Sequence, residues 1–365
     1  MKTNPTNRAP LSFESLLDPV TPEEFFSDYW EKKPLHVPRN DESVYGRLGS
    51  LNQIDGLIAR AGDGQALSLS ASVVDPETGE NRVRENGVHT SFKHQDVYTA
   101  LARGETIRIR GIERLLDEGQ AVTAAIESRT NTIVRINMYL TPRGAKGFGV
   151  HQDAHDVFIL QAAGRKHWRI YDEPVELPSD RLHLGRTELF GALGFSRASV
   201  PEGDHKAERA LTHDMVLDPG DLLYIPRGVY HEAHTTDELS MHFTVGLYAL
   251  TWHDAAMYAL GKAFAKDVRL RRGLPPGFAS GAVSESDLQA LGEEALQAIG
   301  EGLDLDALMA GVKAIRERFL QSRNSAFHGF IGDIDRVERL GLDEGVRMRD
   351  GVTLNVSEEK DRVQL

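Results

Sequence analysis

The 365-residue chain contains no cysteine. Disulfides, zinc–thiolate sites and cysteine nucleophiles are therefore excluded, and any metal must be held by His, Asp or Glu. No apolar run approaches the ~20 residues of a membrane-spanning helix. The opening stretch MKTNPTNRAPLSFESLLDP lacks the apolar centre of a signal peptide. Positive charge is in deficit: 42 Lys and Arg face 55 Asp and Glu, a formal net charge of −13. A general nucleic-acid binder needs the opposite balance, because Lys and Arg make the phosphate contacts. The helical zinc motif H-E-x-x-H is missing, and there is no internal repeat. Together these absences predict a cytoplasmic protein with no membrane partner and no direct nucleic-acid partner.

Apolar residues make up 40% of the chain, enough for a sizeable core and two or three compact units. Residues 1–12 are polar and read as loose, and from Ser12 to about Arg129 the pattern is mainly helical. TPEEFFSDYWEKKPL has Thr21 as N-cap, Pro22 in the first turn and Glu24 at the capping-box position. From Thr130 to Leu250 the signal changes to strands. In TIVRINMYLT, one face carries Ile133, Arg135, Asn137, Tyr139 and Thr141; the other, apolar apart from Thr132, is the predicted core side. DVFILQ, HWRIYD, MVLDPGDLLYIP and SMHFTVGLYAL follow as short strands between Gly/Pro turns, the pattern of a jelly roll or small barrel. From Thr251 to Ser325 the reading is helical again, with a capping box at Ser286 and Gln289. An apolar stripe of Leu305, Leu308, Val312, Ile315 and Phe319 suits packing within the monomer or a dimer surface. VRMRDGVTLNV reads as a hairpin turning at Asp350-Gly351.

Chemistry concentrates in HQDAHDVFILQAAGRKHW. On a strand, residues two apart share a face, so His151 and Asp153 would point together into the barrel, as would Asn137 and Tyr139. A third ligand should come from a distant strand. His231, after a Pro-Arg-Gly turn, is the best candidate, with His234 and His242 as rivals. Two His and one carboxylate can hold Fe(II) on one face and leave positions for a chelating co-substrate and O₂; a zinc hydrolase can use the same donors. Lys166 shares a face with Trp168 and Ile170 on the next strand. An inward Lys is costly unless an anion meets it, and a dicarboxylate such as 2-oxoglutarate would do so, with the Tyr139 phenol as a second donor. His155, His167, His183, His205 and His213 are read as surface or structural residues.

The segment NMYLTPRGAKGFGVHQDAHDVFILQAAGRKHWRIY, with DPGDLLYIPRGVYHEA downstream, resembles the JmjC-type ribosomal oxygenases, and EEFFSDYWEKKPLHV resembles their opening helix and strand. The resemblance implies an α+β chain built on a double-stranded β-helix (cupin-type jelly roll) with N-terminal helices and a C-terminal helical region. It implies Fe(II) on His151, Asp153 and His231, 2-oxoglutarate on Lys166, and Asn137 and Tyr139 beside the co-substrate. It implies hydroxylation of an Arg or His side chain in a protein, a ribosomal protein first of all. Other readings are a peptide-tailoring hydroxylase, a JmjC lysine demethylase and a non-catalytic cupin binding module. The expected organisation is a catalytic domain over 1–250, a helical homodimerisation region over 251–329, and a shortened winged-helix-like segment over 330–365.

Overall fold

The computed structural model describes residues 11–39, 41–46, 48–61, 70–74, 81–82, 94–116, 118–145, 149–178, 208–323, 341, 355–356 and 363–364. Up to Arg323, these fall into two compact units, the first ending at Ala249 and the second beginning at Leu250.

The first unit is built on antiparallel strands: β1 (Leu35–Val37), β2 (Ser70–Val74), β3 (Asn81–Arg82), β4 (Thr106–Arg110), β5 (Thr132–Thr141), β6 (Asp156–Ala163), β7 (Lys166–Tyr171), β8 (Leu211–Leu217), β9 (Leu222–Ile225), β10 (His231–Thr235) and β11 (Ser240–Ala249). A large sheet has the order β1-β9-β6-β11-β5-β4-β2-β3, and a small one the order β10-β7-β8. The chain crosses repeatedly between them: β6 is in the large sheet, β7 and β8 in the small, β9 in the large, β10 in the small and β11 in the large. This alternation is the expected double-stranded β-helix. Two tight turns depend on glycine. Gly164, between β6 and β7, has φ 57°, and a Cβ there would lie 1.9 Å from the Leu239 carbonyl oxygen. Gly228, in the Pro-Arg-Gly turn before β10, has φ 85°, and its Cβ would meet the Val175 carbonyl oxygen at 1.9 Å.

Each strand of the large sheet feeds two cores, because alternate side chains point to opposite faces. On the outer face Val134, Ile136, Met138, Phe158, Leu160 and Tyr224 pack with Phe13, Leu16 and Phe25 from the N-terminal helices. Phe25 meets Tyr224 edge-on, with centroids 4.9 Å apart. The inner core, between the sheets, is smaller: Val157, Ile159, Trp168, Ile170, Leu217, Leu223, Ile225 and Val229. β4 pairs with β5 only over Asn137–Leu140. Beyond it, the free β5 edge is closed by two buried glutamates. Val134 N–H donates to Glu127 Oε1 and Ile136 N–H to Glu113 Oε2, each at 3.1 Å.

The N-terminal stretch departs from the helical expectation, since β1 to β4 lie within it. These runs have two to five residues, too short for helical periodicity to be tested. TIRIR alternates between Ile107 and Ile109 on the core side and Arg108 and Arg110 on the other, and Gly104 and Gly111, both at positive φ, bracket it. Thr21 caps its helix as expected, accepting from Glu24 N–H at 3.2 Å, and the chain continues as a π-turn over Phe25–Tyr29.

The second unit has helices Trp252–Lys266, Glu285–Gly302 and Leu305–Ser322. The cap of the second lies two residues before the expected one: Ser284, not Ser286, accepts from Asp287 N–H at 3.1 Å. The serine with extended backbone is the one able to turn its oxygen onto the first turn. Gly311 lets the third helix approach the first, because a Cβ there would lie 2.4 Å from the Ala255 carbonyl oxygen. Along the predicted stripe Phe319 is buried, Leu308, Val312 and Ile315 are half-buried, and Leu305 is 72% exposed. The Asp350-Gly351 turn, His183 and His205 lie outside the described residues. Asn355–Val356 does pair antiparallel with Val363–Gln364.

Candidate metal centre

His151 and Asp153 do not sit on a regular strand. His151 forms a single antiparallel bridge with His231, the first residue of β10. Its N–H donates to the His231 carbonyl at 3.0 Å, and the His231 N–H returns the bond at 2.8 Å. The bridge adds one residue of a further strand beside β10. Asp153 follows in an irregular segment, anchored where its carbonyl accepts from Gly228 N–H at 2.8 Å. The turn that delivers His231 is thus the turn that holds Asp153.

Both imidazoles are oriented the same way. His151 Nδ1 donates to the Gly149 carbonyl at 2.8 Å, and His231 Nδ1 to the Val229 carbonyl at 2.9 Å. Each Nε2 is left as the lone-pair nitrogen, the tautomer a metal requires. The rings lie 4.4 Å apart, His231 Nε2 is 3.8 Å from Asp153 Oδ2, and one donor atom from each residue falls within 4.8 Å of the others. Among the described residues this is the one such cluster of metal-capable side chains. Burial pushes His231 down to about 4, helped by His151, so it is neutral at pH 7. Burial alone would raise the Asp153 carboxyl, but His155, His151, His231 and Arg108 more than offset it and hold the carboxyl below its usual value. A neutral His231 and an anionic Asp153, with His151 beside them, suit a divalent cation. His234 points elsewhere, to His167 at 2.9 Å on the outer face of the small sheet.

The three residues line an open cleft together with Tyr139, Ile159, Lys166, Trp168, Ala233, His242 and Thr244. Lys166 is 2% exposed at the inner end. Its ammonium donates to Thr141 Oγ1 at 3.2 Å and lies 5.9 Å from the Trp168 ring centre. Among the described residues no carboxylate pairs with it, and burial pulls it down to about 7. His242 stacks on Tyr139 at 4.9 Å, held neutral by burial and by Lys166. Its Nδ1 and the Trp168 Nε1 are buried without a hydrogen-bond partner. A buried cation without an acid and two orphaned nitrogens are what an anionic ligand would satisfy. The residues present therefore fit both a divalent metal and a carboxylate ligand beside it.

Asn137 lies on the Tyr139 face of β5, opposite Thr244, one step outside the cleft lining. Sequence reasoning missed two neighbours. Arg108 pairs with Tyr139 across β4 and β5 and hydrogen-bonds its phenol. Arg110 follows on the same face. His155, read as a surface or structural residue, stacks on Tyr248 with ring centres 4.4 Å apart and covers Gly246, where a Cβ would meet its Cδ2 at 2.9 Å. The alternation of TIRIR was the available signal for the arginines.

Comparison with known proteins places residues 113–255 in the JmjC domain family. The chain is 33% identical to ribosomal oxygenase 2 of Bos taurus over 272 residues, covering 72% of this chain and 54% of the relative. It is also 33% identical to the bifunctional lysine-specific demethylase and histidyl-hydroxylase NO66 of Drosophila grimshawi, over 72% of this chain and 35% of that protein. It thus spans about half or less of the length of these relatives. Among solved structures, E. coli YcfD matches with a TM-score of 0.47 and 20% identity, over 84% of this chain and 73% of that one. A YcfD complex with cobalt and 2-oxoglutarate matches at the same TM-score and 19% identity, over 83% and 72%.

Proposed function

This chain is a JmjC-domain protein related to the ribosomal oxygenases, and from that premise we propose that it is an Fe(II)- and 2-oxoglutarate-dependent oxygenase that hydroxylates an Arg or His side chain of a protein, a ribosomal protein first of all. His151, Asp153 and His231 would hold the iron, and Lys166 the far carboxylate of 2-oxoglutarate. When bound, the metal and co-substrate supply the oxidising chemistry with O₂, and the chain's own residues bind, orient and exclude water.

The observation that carries this reading is one cleft holding both an oriented His-Asp-His set and an acid-free buried lysine. Lys166 would regain its full charge on meeting a carboxylate, with Thr141 fixing the ammonium. Trp168 Nε1 and His242 Nδ1 would find an acceptor, and the Tyr139 phenol stands beside them. Ile159, Ala233 and the Trp168 ring keep the inner end apolar, which strengthens the charge contact there.

A homodimer formed through the helical unit belongs to the same proposal. Trp252, Leu296 and Leu305 of that unit are 69%, 69% and 72% exposed, an apolar display that a partner would cover. So does a cytoplasmic location; among the described residues no helix is long and apolar enough to cross a membrane.

The test is succinate formation from 2-oxoglutarate with Fe(II) and ascorbate, with and without total ribosomal protein, in wild type, Asp153→Ala and Lys166→Ala. Turnover lost in Asp153→Ala and weakened in Lys166→Ala is the expected result, and mass spectrometry should find a gain of one oxygen in a ribosomal protein. Neither turnover nor 2-oxoglutarate binding by metal-loaded wild type would leave a binding module as the better reading.

A further inference from the structure

The inner face of the large sheet extends past the metal cluster. Its register sets Arg108 opposite Tyr139, which is opposite His242, and Arg110 opposite Asn137, which is opposite Thr244. Tyr139, His242 and Thr244 line the cleft, so both arginines border it from β4. Ile107 and Ile109 are fully buried on the other face, which fixes the direction of the arginines between them. Arg108 lies close enough to lower the Asp153 carboxyl, and Arg110 feels both Arg108 and the Tyr139 and Tyr248 phenols. Among the described residues, Asp153 is the one carboxylate lining the cleft, and it belongs to the metal cluster. No carboxylate among the described residues pairs with Arg110.

We propose that Arg108 and Arg110 are specificity-determining residues: they form a positive rim that turns away guanidinium and methylammonium groups and admits an uncharged side chain, a neutral imidazole or a carboxamide, to the metal. This rests on the oxygenase reading above and narrows it. A cationic side chain moving towards the metal passes half-buried Arg108 and exposed Arg110, and among the described residues it finds no spare carboxylate to receive it. Such like-charge juxtaposition opposes binding, more strongly at half-buried Arg108 than at exposed Arg110, where solvent and salt screen it. A neutral imidazole meets no such penalty, and the Tyr139 phenol and the Asn137 amide offer it hydrogen bonds. The acidic balance of the whole chain acts at long range and attracts a basic partner; the rim acts at contact range on the one side chain that enters.

The experiment uses the full chain and pools of short peptides, uncharged and randomised around one fixed central residue: His, Asn, Arg or dimethyl-lysine. Fe(II)-loaded protein is assayed for succinate and for product mass. Co(II)-loaded protein with 2-oxoglutarate is titrated with dye-labelled pools, and binding is read by anisotropy at low and high salt. The His and Asn pools should bind about tenfold or more tighter than the Arg and dimethyl-lysine pools at low salt, and the ratio should shrink at high salt. Product should carry one added oxygen in the uncharged pools, with no loss of methyl from dimethyl-lysine. Arg110→Met should narrow the ratio and Arg110→Glu should narrow it further, each with a melting curve to establish that it folds. Equal binding of the Arg and His pools, or a ratio unchanged in both folded variants, would overturn the rim while succinate formation leaves the oxygenase standing. No succinate and no binding from any pool would overturn the oxygenase reading and the rim with it.

Discussion

The two faces of the large sheet are made from the same strands and do opposite work. On the outer face of β5, Val134, Ile136 and Met138 are sealed against helices and aromatic rings. On the inner face, two residues apart along the same chain, stand Asn137 and Tyr139, with Lys166 and His242 close by. The outer face gains its stability from apolar area and close packing. The cleft that the inner face lines, with β7 of the small sheet opposite, holds a desolvated ammonium and orphaned nitrogens, each of which costs stability until a ligand arrives. Concentrating cohesion on one face is what lets the other be arranged for binding.

Substitutions on the two faces should therefore separate activity from stability. The largest effect is expected from Asp153→Ala, which should abolish 2-oxoglutarate turnover and leave the urea midpoint of metal-free protein near wild type. On the opposite face, Phe158→Ala should cost ~3–5 kcal/mol in urea unfolding, because its ring packs against Phe13, Phe25 and Tyr224. If Phe158→Ala cost little, the outer face would not be the source of cohesion.

Lys166 makes the contrast depend on pH. Its ammonium is held at about 7 against the usual 10.5, so between those values the unfolded chain carries a proton that the folded chain has lost. Ligand-free protein should gain stability as pH rises from about 7 towards 10.5 and level off below 7. Lys166→Met should remove that slope and be the more stable protein at pH 7, while weakening 2-oxoglutarate binding. Urea titrations at a series of pH values check the sign. The smallest effect is expected from Glu127→Ala, which leaves the buried Val134 N–H without its acceptor, at ~1–3 kcal/mol. Faster hydrogen exchange at Val134 would accompany it.

Much of this was legible in the residues. The alternation of TIVRINMYLT assigned both faces of β5, and His151, Asp153, His231 and Lys166, picked out by spacing and turn chemistry, meet in one cleft. The supporting premise was partly wrong: His151 and Asp153 converge through a backbone bridge and a shared turn, not through the pleat of a strand. The alternation of TIRIR could have shown which way Arg108 faces, but not its contact with Tyr139, which spans two elements and the intervening helix Gly119–Thr130. The glutamates that close the β5 edge left no pattern, since a buried acid satisfied by a backbone N–H looks like any helical Glu until the fold is known. His155 was read by base expectation, and only the glycine beneath it and the tyrosine beside it reveal its place.

The reciprocal main-chain bonds between His151 and His231 bear on how the site would exchange its metal. Two candidate ligands tied to each other by the backbone, with both side chains tied to carbonyls, would be in place before any ion arrives. An ion entering such a site orders little, so its arrival and departure should be simple one-step events without a slow refolding phase. Its effect on the melting temperature should then follow mass action alone, rising with the logarithm of free metal above the dissociation constant.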